Sequence, residues 1–319
     1  MNIKEMLRRS GPLAGLLMMS TVLSILSPYF LTADNALNIF RQSAVNALLA
    51  LGQLLVIITA GIDLSVGSIL GLACVVTAML LKAGLGAPVS FLAGVLLGVG
   101  MGVINGLLLT RLRLPHPFIS TLGMMNVARG AALIVSGGFP ISDLGPAIRW
   151  IGAGTLMGVP IAVWLVLLCC LGTHLFLTHT TVGRDLYAIG GNKQAAMFSG
   201  IPVDRRLVLV YATSGGFAAI AALVLAGRMN SGFPLAGVGA ELDAIAAVII
   251  GGASFFGGVG TVWGTMVGAL IMGVLRNGLN LLNISSSWQI VVIGLVIVWA
   301  VWIDVLRRRT LQKPRPTNN

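Results

Sequence analysis

The chain has 319 residues, 57% of them hydrophobic and only 9% charged, with a mean hydropathy of +0.98. A water-soluble globule carries about 25% charged residues, so this composition excludes one and points to a chain solvated by lipid. The net charge of +11 would suggest nucleic acid in a soluble protein, but here the basic residues lie between apolar runs. There they report orientation and meet anionic lipid headgroups, and no nucleic-acid partner is expected.

A spanning helix takes about 20 apolar residues. The run 12–31 follows a basic start (Lys4, Arg8, Arg9) and has no short apolar core with a cleavage site, so it reads as an uncleaved first helix and not as a signal peptide. Further spans are predicted at 43–62, 64–81, 89–110, 118–136, 161–179, 207–227, 242–253, 262–282 and 288–305. The fold expected is all-α: a polytopic membrane protein of about ten transmembrane helices forming one domain over 1–319, with cytoplasmic tails at 1–11 and 306–319. The span at 242–253 is short for a crossing and reads as a broken segment. The 42 glycines suit close helix packing. The tail 313–319 is polar and proline-containing and is expected to be disordered.

Charge orients the bundle. With the N-terminus inside, the inner side carries fourteen of the 20 Lys and Arg. The outer side carries Arg41, Lys82, Arg149 and Arg228, while Arg129 and Arg276 fall within spans. This bias favours cytoplasmic N- and C-termini and an even number of spans. Two proposed inner turns, Gly61-Ile-Asp-Leu-Ser-Val-Gly67 and Gly251-Gly-Ala-Ser-Phe-Phe-Gly-Gly-Val-Gly260, carry no basic residue. Glycine-rich breaks of this kind interrupt helices inside the membrane where they line a cavity or protein interior. Their flanks are alike. Val56-Ile-Ile-Thr-Ala-Gly61 parallels Val248-Ile-Ile-Gly-Gly252, and Val66-Gly-Ser-Ile-Leu-Gly71 parallels Val259-Gly-Thr-Val-Trp-Gly264. This is a weak internal repeat, and paired breaks in two halves of a transporter point to the substrate path.

Asp63, Glu241 and Asp243 sit at or inside span ends. At membrane depth such groups line a polar pathway or cap helices. Asn105, Asn126 and Asn277 are further path candidates, among intramembrane polar groups that include Asn46, Gln53, Thr77 and Asn280. Amides and hydroxyls both donate and accept hydrogen bonds, which suits a neutral polyhydroxyl substrate. They also bond helices to one another, which is the commoner use. No catalytic set is visible. Cys74, Cys169 and Cys170 lie in apolar runs, His116, His174 and His179 form no metal-type cluster, and no G-x-x-x-x-G-K-[ST] phosphate loop occurs. No cofactor is expected in this chain. If ATP drives it, ATP and Mg are bound by a partner subunit.

The longest inner connection, 181–206, is predicted to hold a short helix over 188–199, ended by Gly200 and followed by Pro202. A short rigid helix projecting inward suits docking to a partner. Within it, Gly183-Arg-Asp-Leu-Tyr-Ala-Ile-Gly-Gly-Asn192 and the Ala-Ala and Ser-Gly-Ile that follow resemble the coupling loop of the ribose-type sugar permeases of bacterial ABC importers. Gly61-Ile-Asp-Leu-Ser-Val-Gly67 and the stretch from Leu242 to Gly264 are similar to two further signatures of that family. The resemblance covers the chain from about Ala33 to Trp302.

The resemblance implies a permease subunit of the bacterial inner membrane, without enzymatic activity of its own, that translocates a monosaccharide. It implies three partners: an ABC ATP-binding subunit inside, a periplasmic sugar-binding protein outside, and a second permease copy or homologue forming a dimer. It assigns contact with the ATPase to Gln194, Ala195, Ala196, Gly200 and Ile201, with Gln194 standing where the motif has Glu. Permeases for branched-chain amino acids or autoinducers share the pattern, and an ion-coupled transporter is a further alternative. It would want buried carboxylates at mid-span, for which Asp63 and Asp243 are the candidates.

Overall fold

The computed structural model describes residues 3–311, with side chains over 11–306. The tail at 313–319 and its basic residues lie outside the described residues. In chain order the helices are α1 (Ile3–Leu26), α2 (Ala33–Ile58), α3 (Val66–Lys82), α4 (Ala87–Arg111), α5 (Pro117–Ser136), α6 (Pro146–Ala153) and α7 (Ile161–His179). They continue as α8 (Thr181–Gly191), α9 (Lys193–Phe198), α10 (Val203–Met229), α11 (Ala240–Ile250), α12 (Val262–Leu281) and α13 (Ser286–Leu311). Four two-residue strands lie in the connections. β1 (Ile141–Ser142) pairs with β4 (Ser231–Gly232), and β2 (Thr155–Leu156) pairs with β3 (Val159–Pro160). Among the described residues, seven helices are long and apolar enough to cross a membrane: α2, α4, α5, α7, α10, α12 and α13. The apolar part of α1, Gly11–Leu26, and α3 are shorter. The protein is an all-α, multi-pass membrane protein.

α2 and α10 are the inner helices. Their apolar windows are 78% and 72% buried, against 28% or less for α4, α5, α7 and α13. The outer helices turn residues such as Leu92, Leu96, Leu168 and Ile290 outward, where lipid solvates them. Because lipid is as apolar as leucine, helices associate here by close packing. α4 supplies it with glycines at every fourth position: Gly94, Gly98, Gly102 and Gly106, all buried. A Cβ on Gly98 would run into the Gly215 carbonyl, and one on Gly102 into the Tyr211 carbonyl. The α4 and α10 backbones therefore touch.

Both ends of the bundle send irregular chain inward. α2 stops at Ile58, and the returning segment folds back so that the Gln53 amide donates to the Asp63 carbonyl. α3 then starts inside the bundle. From the other end, α10 stops at Met229, and Asn230 takes a left-handed conformation (φ 51°). Residues 231–239 then run back along α3. Gly232 packs on Cys74 and Ala78, the Pro234 and Ala236 carbonyls lie against Gly71, and Gly237 meets Gly67. α11 begins only after this descent, which explains the short segment predicted at 242–253. Non-helical backbone at membrane depth needs partners. Arg129 of α5 supplies them, its Nη1 donating to the carbonyls of Pro234 and Ala236, both at 2.8 Å.

The first connection differs from the sequence reading. The helix predicted to 31 ends at Leu26, and the one predicted from 43 starts at Ala33. Thr32 is its N-cap, accepting from the Asn35 amide at 3.3 Å, and Asp34 lies in the first turn. Both suit a helix start, so Arg41 lies within α2 and not in a loop. The single helix predicted over 188–199 is two helices, α8 and α9, divided at Asn192. The Asn192 side chain caps the second by accepting from the Ala195 amide at 3.0 Å.

Candidate functional site

Five helices, α2, α3, α4, α5 and α10, meet around Asp63, which has no exposed surface. Its Oδ1 accepts from the Ser65 amide at 3.0 Å and the Ser65 hydroxyl at 2.6 Å. Its Oδ2 accepts from the Ser214 hydroxyl of α10 at 2.9 Å. Asn105 of α4 donates to the Ser65 hydroxyl at 2.8 Å. The Tyr211 hydroxyl donates to the Ile62 carbonyl at 3.4 Å, and the Thr121 hydroxyl of α5, which donates to the Pro117 carbonyl at 3.0 Å, lies 3.4 Å from the same Ile62 oxygen. Asp63 thus satisfies an amide at the start of α3, as a cap does, while also tying α3 to α10. The knot holds an irregular turn in place at depth, where unpaired backbone is costly.

The other path candidates divide. Glu241 packs on Gly67, close along the chain from Ser65, so Asp63, Asn105 and Glu241 converge on the start of α3. Asp243 is paired with Arg276 of α12 through Oδ2, and its buried Oδ1 has no hydrogen-bond partner among the described residues. Asn277 does not join them. It exchanges two hydrogen bonds with Asn35, at 3.1 and 2.7 Å, and so staples α12 to α2. Asn126 is exposed and donates to the Leu122 carbonyl of its own helix at 3.0 Å.

At the far end of α10 from Arg228, α8 and α9 form a projecting unit. Gln194, Ala195 and Gly200 are exposed, and Gly200 has φ +82°, as expected after a helix end. Ala196 is buried with Ile189, Val203 and Leu207, and Ile201 packs on the same cluster, so these two anchor the unit. The bare apolar side chains are Met197 and Phe198, 59% and 89% exposed. Sequence reasoning passed over both because it looked for small residues.

α8 also touches the second glycine-rich break and the end of α2 that precedes the first. The Tyr187 hydroxyl donates to the Gly260 carbonyl at 2.8 Å, and the Gly258 amide donates to the Ile58 carbonyl at 2.8 Å. Gly190 lies so close that a Cβ would collide with the Ile58 carbonyl, and only glycine fits there. Arg206 pairs with Asp185 at 2.8 Å, fixing α8 to α10. Asp304 of α13 accepts from the Ser254 hydroxyl and the Phe255 amide at 3.2 and 3.1 Å, holding the second break from its other side. Displacement of α8 therefore bears directly on the end of α2 and on the second break, which joins α11 to α12.

Residues 35–301 match the family model described as "Branched-chain amino acid transport system / permease component". The chain belongs to this family. Among curated relatives, it is 41% identical over 305 residues to the ribose import permease protein RbsC of Escherichia coli (strain K12), covering 94% of this chain and 95% of that one. It is 43% identical over 300 residues to the ribose import permease protein RbsC of Bacillus subtilis (strain 168), covering 93% of each. It is 42% identical over 283 residues to the D-allose transport system permease protein AlsC of Escherichia coli (strain K12), covering 88% of this chain and 86% of that one. No solved structure matches it. In this permease the helix breaks and the α8–α9 unit are one connected structure.

Proposed function

We propose that this protein is the membrane-spanning subunit of an ATP-driven importer for a monosaccharide of ribose type. The match to ribose import permeases along more than nine tenths of the chain, at 41–43% identity, carries the reading. The contact of α8 with the end of α2 and with the second break supports it, because an importer powered by another subunit needs a mechanical link from docking surface to pathway.

On this reading the chain spans the bacterial inner membrane ten times as one permease domain over 1–319. Its tails at 1–11 and 306–319 and its coupling loop at 181–206 are cytoplasmic. The two glycine-rich breaks descend from an internal repeat. ATP and Mg belong to two cassette subunits, and this chain holds no cofactor. A groove in each cassette receives α9, with Gln194, Ala195 and Gly200 at the contact and Met197 and Phe198 as its apolar anchors. A second permease copy or homologue completes the pore, and a periplasmic binding protein delivers the sugar. Cassette closure moves α8 and α9, and the breaks transmit that motion to α2 and α11. ATP acts only through the difference in cassette affinity between the two states.

The family description favours a second reading, import of a branched-chain amino acid. Co-purification separates the two. The tagged chain is extracted in mild detergent from its own host, and the proteins that come with it are identified. A cassette subunit with a binding protein whose assayed ligand is a monosaccharide supports the first reading. A binding protein for leucine or valine supports the second. Recovery of the chain alone, repeated after crosslinking, rejects both.

A further inference from the structure

Asp304 of α13 and Tyr187 of α8 both bond the second break, so the end of α13 lies on the same side of the bundle as α8 and α9. On that side an apolar groove of about 540 Å³ opens between α1 and α13. α1 rests on α12 and α13 on α11, and these two inner helices form its floor. Gly11 and Gly15 line it from α1, Ile250 from the end of α11, Ile271 from α12, and the stretch from Val292 to Asp304 from α13. A Cβ on Gly11 or Gly15 would meet nothing within 4 Å, so nothing in the chain fills the α1 side.

Apart from Asp304 and the Trp299 indole, every lining side chain lacks a hydrogen-bonding group, and Asp304 Oδ2 already accepts from Ser254 and the Phe255 amide. A sugar would lose its water there without replacement. The groove is long instead. From Val292 to Asp304 α13 rises about 18 Å, against about 15 Å for half the hydrocarbon core of a bilayer. That is the reach of one acyl chain in one leaflet. The mouth lies at headgroup level, because Trp299 and Trp302 are both exposed beside it, their rings edge to face at 5.8 Å, and exposed tryptophans mark the membrane interface. Charge selects among lipids. Arg8 and Arg9 lie within one turn of Pro12 in α1, and Arg307, Arg308 and Arg309 follow Asp304 in α13. The two helix ends that form the mouth thus carry five arginines, a cluster that attracts anionic headgroups.

We propose that this groove seats an acyl chain of an anionic phospholipid, drawn from the leaflet on the side of α8 and α9. The chain lies against Ile250, the residue before the second break, and reaches the level of Asp304, which holds that break from outside. The lipid is in this way a fixed partner of the second break, where the rest of the outer surface meets exchanging solvent lipid. The inference goes beyond the transport reading and needs only a bilayer, so its failure leaves that reading standing.

The test places the full chain, with any subunits that accompany it, in phosphatidylcholine nanodiscs holding a trace of phosphatidylglycerol with a photoactivatable diazirine on one acyl chain. After illumination the crosslinked residues are read by mass spectrometry. Labelling is expected on the groove faces of α1 and α13. It should fall at least fivefold when unlabelled phosphatidylglycerol replaces a tenth of the phosphatidylcholine. Labelling of the outward face of α4, at Leu92 and Leu96, both exposed, reports solvent lipid and should fall less than twofold. Equal falls on the two faces, or an unlabelled groove, would overturn the proposal. Crosslinks from the groove to a second copy or another subunit, in place of lipid, would assign it to a protein interface and overturn the proposal as well. Gly15→Phe fills the groove from a position where the added ring meets open space. It is expected to cut groove labelling at least fivefold and leave α4 unchanged, and groove labelling within twofold of the unsubstituted chain counts against the proposal. The competition series needs no variant and decides the matter even if Gly15→Phe fails to fold.

Discussion

Asp63 and Asp243 are both buried carboxylates beside the start of a helix that begins inside the bundle, yet their surroundings have little in common. Asp63 has both oxygens engaged by Ser65 and Ser214 and no exposed surface. Asp243 has one oxygen held by Arg276 and the other buried without a hydrogen-bond partner among the described residues. A carboxylate whose two oxygens are both engaged by the chain itself is structural. One left half-satisfied is not fully accounted for by the contacts that hold the fold. Depth in the membrane does not separate the two roles, and the count of hydrogen bonds does.

Substitutions can break that contrast. The largest effect is expected for Asp63→Ala, which strands two hydroxyls and an amide in the interior at a cost of about 3 kcal/mol. Little folded protein should survive extraction, as read by size exclusion and thermal scanning in detergent. A stable monodisperse variant would show that the knot is dispensable. Gly200→Arg should abolish uptake while leaving the fold intact. The position is exposed and nothing lies within 4 Å of a Cβ there, so the cost to stability is backbone strain of about 1–2 kcal/mol. Full uptake by that variant would remove α9 as the docking element.

Asp243→Asn sharpens the comparison. Arg276 is 42% exposed, so losing the ion pair should cost about 1 kcal/mol or less, while sugar uptake falls about tenfold. If this variant loses more thermal stability than Asp63→Asn, the two carboxylates have been assigned the wrong way round. The smallest effect is expected from truncation after Leu311, which removes only the polar tail. Uptake should stay within twofold, and a larger fall would place a partner contact in the tail.

The spans were legible because apolar runs of bilayer length carry that signal directly. The broken character of the segment around α11 was legible from its length alone. Its cause was not, since the descent of 231–239 depends on Arg129, about a hundred residues away, whose carbonyl partners no local pattern reveals. The sequence offers Asp63 both as a cap and as a pathway residue; the cap reading captures its bond to the Ser65 amide and misses Ser214, a residue with no signal of its own. Asn126 and Asn277 were grouped with the path because a helix apolar on all sides does not declare which face is inward. The structure turns one outward and pairs the other with Asn35. The split at Asn192 was missed because a capping asparagine and an interior one look alike until the dihedral angles are known.

The stretch from 231 to 239 also constrains how the protein is made. It cannot rest in lipid by itself: its carbonyls need the Arg129 guanidinium, and its glycines need the bare backbone of α3 at Gly67 and Gly71. Both lie earlier in the chain and have already left the ribosome when this stretch emerges. The first half of the protein is therefore the template on which the second half is laid down. Arg129→Ala should leave the early helices protected from protease in freshly made chains while the segment before α11 stays open to cleavage. Biogenesis of this permease is in that sense directional, with the assembly order written into a single arginine side chain.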